Sequence, residues 1–146
     1  MLDNRVLLGL AVTHVIYVFC ILVFIARLIK KCHWDTWLGI PILFMALPLL
    51  YLLWKPAESP HPFMYKVQIF LALCLILWLL VFDYLFQIDF RQSFWMVVVF
   101  TILFFAGTGG LLGVASLAGK SWTISATGLY LMMAVLAFVQ RNQTGY

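Results

Sequence analysis

The residues of this chain best suited to chemistry are a histidine, His14, and a carboxylate, Asp83, each set inside a long apolar run. Such a pair forms an acid/base relay when the two groups lie within hydrogen-bond reach. Arg27 lies at the end of the first apolar run and offers Asp83 an alternative, an ion pair. The hydroxyls of Tyr17, Thr108, Thr127 and Tyr130 can bind a ligand or bond backbone carbonyls, and Pro48 frees a helix carbonyl by lacking an N–H. Other signatures are missing: no H-E-x-x-H for zinc, no G-x-S-x-G elbow and no phosphate-binding loop occur. His33 and His61 fall in breaks on opposite sides, so neither matches His14 as a second haem ligand, and no metal or other cofactor is expected.

These residues are positioned by elements that composition makes plain. The chain has 146 residues, 66% hydrophobic and 10% charged, with a mean hydropathy of +1.09. Soluble domains carry about 25% charged residues. A chain this short cannot hide so much apolar surface from water, so a lipid bilayer is its expected solvent and first partner. Net charge is +4, but the cations are spread between apolar runs and not gathered into a stripe, which argues against nucleic acid. They read as interfacial anchors. Cys20, Cys32 and Cys74 form no C-x-x-C pair, and two of them lie inside apolar runs, so no disulfide framework is expected. Asn142-Gln143-Thr144 matches a glycosylation sequon, a pattern that matches falsely beside membrane spans. The run Val6–Ile29 is too long for a signal-peptide core, and no small-residue cleavage site precedes Arg27, so a retained first span is expected.

About twenty apolar residues cross a hydrocarbon core as a helix. Five stretches qualify, near 6–29, 36–54, 64–88, 93–116 and 121–140, which predicts an all-α bundle of five transmembrane helices in a single domain, 1–146. Polar or turn-forming breaks separate them: Lys30 to Asp35, Lys55 to Pro62, Asp89 to Gln92 and, weakest, Gly119-Lys120-Ser121. Trp34, Trp37 and Trp95 fall on one boundary and Trp54, Trp122 and Tyr65 on the other, as aromatic belts do, while Trp78 falls near mid-span. Lys/Arg are nearly balanced. Arg5, Lys55, Lys66 and Lys120 share the N-terminal side (side A); Arg27, Lys30, Lys31, Arg91 and Arg141 share the other (side B). The first span weighs most, which favours the N-terminus outside and the C-terminus in the cytoplasm of a plasma or inner membrane.

Depth along each span, at about 1.5 Å per residue, sorts the polar residues into two levels. His14 lies about 4–5 Å from mid-span toward side A and Asp83 about 9–10 Å toward side B, too far apart for a dyad. Arg27, about 15 Å toward side B, can reach back to Asp83, so an inter-helix Arg27–Asp83 pair is expected, with a proton-carrying Asp83 as the functional alternative. Pro48 and Gly107 share the depth of His14, and Thr127 and Tyr130 lie between it and the midplane. His14, Tyr17, Pro48, Thr108, Thr127 and Tyr130 can therefore ring a ligand pocket. Each also has a plainer use: a membrane histidine bonds a neighbouring helix, and hydroxyls bond carbonyls. Gly109 and Gly113, with Ala106 and Gly110, form small-xxx-small pairs that let helices approach closely.

The first two hairpins are similar in length, with Trp37 and Trp95 in corresponding places. The second helix of each is interrupted, by Pro41 and Pro48 in one and by glycines in the other, as in transporters with repeated halves. The best reading is binding or transport of a small or lipidic ligand in a pocket near His14, with self-association through the fourth helix. An accessory subunit packing on a larger membrane protein, and a small intramembrane enzyme using His14 or Asp83, are the alternatives.

Overall fold

A computed structural model of the protein describes residues 3–30, 32–88 and 92–144, with the backbone alone for Cys32 and Thr144. Lys31 of the first break and Asp89, Phe90 and Arg91 of the third lie outside the described residues. Among the described residues the elements are α1 (Asn4–Leu28), α2 (Cys32–Phe44), α3 (Ala46–Trp54), α4 (Pro62–Leu79), a π-helical segment (Leu80–Leu85), α5 (Phe94–Ser116) and α6 (Lys120–Thr144). They make up five helices long and apolar enough to cross a membrane, with α2 and α3 forming one span and α4 with the π segment another. The protein is a polytopic, all-α membrane protein.

Local chemistry sets the ends. The Asp3 carboxylate accepts the Arg5 N–H at the start of α1, satisfying one of the donors a helix N-terminus leaves open. Lys30, at φ 58°, ends α1 in the left-handed region. The second span starts earlier than expected, at Cys32, which puts Asp35 in its first turn and not in a loop. That span then breaks at Met45, whose N–H is shared between the Pro41 and Ile42 carbonyls. Pro48 is the cause: it has no N–H to return to the carbonyl of Phe44. The weakest break in the sequence is a real turn. Gly119 has φ 121°, and its carbonyl accepts both the N–H and the hydroxyl of Thr123, in the first turn of α6.

Lipid tails are as apolar as leucine, so burial alone does not choose helix neighbours; close approach and hydrogen bonds do. Helices α4 and α5 come together along Gly107, Gly110 and Gly113. A Cβ on Gly107 would lie 3.1 Å from the Leu71 carbonyl oxygen, one on Gly110 3.1 Å from that of Gln68, and one on Gly113 2.3 Å from Gln68 Nε2. The contact stripe is thus spaced by threes. Gly110 and Gly113 of the expected packing set belong to it, and Gly107 joins them. Gly109 departs from the expectation: a Cβ there would lie 3.7 Å from the Tyr130 hydroxyl of α6, because it sits about 160° around the helix from Gly107 and about 100° from Gly110. Ala106 is half-buried. Helix α1 is the most enclosed span, and the second and fifth spans are the least enclosed.

Gly110→Val is expected to cost about 1–3 kcal/mol, because the branched side chain must push α4 away, while Gly109→Ala stays near neutral. Gly119→Ala should cost more than about 1 kcal/mol through its backbone conformation alone, although a Cβ there meets nothing within 4 Å. Gly128→Ala, in an equally open helical position, should gain up to about 1 kcal/mol. Thermal unfolding of the four variants in one detergent separates contact from conformation.

Candidate functional site

The level of His14 is densely bonded. Thr13, fully buried beside it, shares its hydroxyl proton between the Gly9 carbonyl at 2.8 Å and the Leu111 carbonyl of α5 at 3.2 Å. One turn on, the Tyr17 hydroxyl donates to the Thr108 carbonyl. Two hydroxyl-to-carbonyl bonds, a turn apart, therefore join α1 to α5. The Thr108 hydroxyl turns back to Phe104 at 2.6 Å, and the Tyr130 ring leans on that of Tyr17 with centroids 6.1 Å apart.

His14 faces a different neighbour. Its Nδ1 lies 3.0 Å from the Leu10 carbonyl and its Nε2 3.1 Å from the Ser125 hydroxyl of α6. A carbonyl can only accept, so Nδ1 carries the proton and, in the neutral ring, Nε2 accepts from Ser125. Trp122 covers the ring edge-on at 6.0 Å. The imidazole is satisfied as a bridge from α1 to α6. The six residues expected around one pocket divide accordingly. Tyr17, Thr108 and Tyr130 meet at the α1–α5–α6 contact, and His14 bonds α6. Thr127 bonds Thr123 of its own helix at 2.7 Å. Pro48 lies in the first turn of α3, just after the break at Met45.

The level of Arg27 is different, because it contains space. Arg27 Nε donates to Asp35 Oδ2 at 2.7 Å, with the two side chains 19% and 25% exposed. Arg27 was expected to pair with Asp83, and its Nε meets Asp35. The early start of α2 brings Asp35 across the short α1–α2 turn, eight residues from Arg27, so this carboxylate takes the Nε. Asp83 is nonetheless close by. It lines, with Arg27, Asp35, Thr36, Gly39 and Tyr84, a cavity of about 210 Å³ between α1, α2 and the end of the third span.

The π segment shapes this cavity. Its wider turn is seen in the Phe86 N–H bonding the Val81 carbonyl five residues back, at 2.9 Å. Such segments re-aim side chains and are frequent at functional sites. Here the segment carries Asp83 and Tyr84, and the Tyr84 hydroxyl donates to the Thr36 carbonyl at 2.7 Å. Gly39 makes room for it, since a Cβ at that position would lie 2.1 Å from the Tyr84 oxygen.

A second cavity, of about 120 Å³, opens on the other side of Arg27, between α1, α5 and α6. Phe24, Val97, Phe100, Phe104, Phe105, Ala137 and Phe138 make its apolar wall; Thr101, Gln140, Arg27 and Arg141 supply the polar groups. Arg27 lines both cavities. No protein-family model, no curated protein and no solved structure matches this chain. Function must come from the geometry of these two levels.

Sequence reasoning missed Asp35, Gly39, Tyr84 and the phenylalanine wall. Asp35, a carboxylate eight residues from Arg27, falls in the first polar break of the sequence. Gly39 and Tyr84 carry no signal until the two spans are paired. Their coupling is measurable. Gly39→Ala should cost about 1–3 kcal/mol by displacing the tyrosine, and Tyr84→Phe about 1 kcal/mol. In the double variant the missing hydroxyl relieves the clash, so the combined cost should fall below the sum. Strict additivity in detergent unfolding would show that the two residues do not touch.

Proposed function

We propose that the protein binds or transports a small or lipidic ligand within the membrane, at the level of Arg27 and not around His14. The observation that carries this reading is Arg27 itself, an ionisable residue near the end of a membrane-spanning helix that lines two cavities at once. Ionisable groups in membrane helices mark ligand and ion paths, and ligand sites combine an apolar wall with a few placed polar groups. The π segment beside one cavity supports the same assignment. The bonded, space-filling contacts of His14 and Tyr17 support a packing role for that level. With the N-terminus outside, the Arg27 level belongs to the cytoplasmic leaflet of a plasma or inner membrane.

A second reading, that of a subunit docking on another membrane protein or on copies of itself, draws on the second and fifth spans, which are the least enclosed by the rest of the chain.

Native mass spectrometry of the protein extracted from membranes tests the first reading. A retained small molecule should be lost on Ala137→Trp, which fills the apolar cavity, and kept on His14→Ala. Retention lost in His14→Ala and kept in Ala137→Trp would return the site to the other level, and equal retention in both would sink it.

A further inference from the structure

We propose that the apolar cavity beside Arg27 takes a single-chain anionic amphiphile, with its carboxylate or phosphate head on Arg27 and Arg141 and its tail along Phe24, Phe100 and Phe104. The inference rests on placing the site at the Arg27 level and names the ligand class for it.

Three features of the cavity select this chemistry. The first is charge. Among the described lining residues there are two arginines and no carboxylate; Asp35 and Asp83 line the other cavity. Asp35 engages the Nε of Arg27, and a guanidinium has four further N–H donors on its two terminal nitrogens. Planar guanidinium groups suit oxyanions, which they bind in a fork. Arg27 and Arg141 belong to the last turns of α1 and α6, so both sit at side B, where a headgroup lies.

The second feature is the run of the wall. Its α5 residues extend from Val97 to Phe105, about 12 Å along the helix axis at 1.5 Å per residue. They lead from the boundary beside Trp95 toward the bilayer interior. The inner end is closed: Phe24 meets Phe104 edge-on at 5.8 Å, and one turn beyond it the Tyr17–Thr108 bond holds α1 against α5. A tail entering from side B has apolar wall on three helices and a floor.

The third feature is size and access. At about 120 Å³ the space holds part of one chain, and Phe138, 67% exposed, stands at the rim where the rest of it can pass into the surrounding lipid. An uncharged amphiphile would leave the arginine fork unused and a cationic one would be repelled. A two-chain phospholipid would have to leave one chain outside.

The test uses the full chain in nanodiscs of phosphatidylcholine, with a diazirine-bearing palmitate as photoprobe and mass-spectrometric mapping of the adducts. Adducts are expected in residues 97–105 and 137–138. Palmitate and lysophosphatidate should compete them away; hexadecanol, hexadecylamine and two-chain phosphatidate should not. Arg141→Gln, and Arg27→Lys (which keeps the charge opposite Asp35), should each lower labelling by about tenfold, the worth of a charge-assisted hydrogen bond. Unchanged unfolding temperatures show that both variants fold.

If hexadecanol competes as well as palmitate, and both arginine variants label normally while Ala137→Trp abolishes labelling, the anionic head is overturned and the cavity stands as a binding site. Competition by phosphatidate alone overturns the single chain. Labelling spread evenly over lipid-facing helices, and unchanged by Ala137→Trp, overturns both the ligand class and the site.

Discussion

The close approach of α4 to α5 along Gly107, Gly110 and Gly113 is the constraint on which the other placements depend. With hydrocarbon on the outside and hydrocarbon side chains within, helix pairs gain little from burial and much from shape. Bringing α4 onto that stripe fixes the rotation of α5, and the rotation of α5 decides which carbonyls face α1. Leu111 and Thr108 are the ones presented, and Thr13 and Tyr17 bond them. The same face of α5, one to two turns nearer side B, presents Phe104 and Phe100 to the cavity beside Arg27. Packing at one face of α5 thus determines the chemistry available at another.

The two polar levels then differ in kind. Around Tyr17 the hydroxyls of Thr13, Tyr17 and Thr108 and both ring nitrogens of His14 have partners within the bundle, as a dry, lipid-surrounded interior requires. Such a network specifies which helices meet. Around Arg27 an ion pair at the helix ends holds α1 to α2, while a widened helical turn and large aromatic rings leave space on both sides of it.

The number of spans and their approximate limits were legible because length and apolarity are properties of single segments. So was the break at Pro48, a covalent property of proline, and so was the turn at Gly119. Depth was legible too, since rise per residue is fixed: Arg27 and Asp83 were placed near one another, and they share a cavity. Rotation was not legible. In water, the polar face of a helix marks its outside, but here Leu77 is 58% exposed and its neighbour Ile76 5%, with nothing in their types to tell them apart. That is why six residues at matched depth dispersed over different contacts, and why the glycine stripe ran at spacing three instead of four. The π segment, which depends on hydrogen-bond register in a uniformly apolar stretch, left no trace in residue type. The partner of Arg27 turned on a boundary shift of a few residues, enough to carry Asp35 from a loop into a helix.

The turn at Gly119 bears on how the protein enters the membrane. Only Leu117, Ala118 and Gly119 lie between α5 and α6, so the two helices cannot be far apart at any stage after both are made. Neither can settle across the bilayer without dictating where the other goes. The orientation of either of the last two spans therefore fixes that of the other, with Lys120 carried at the turn between them.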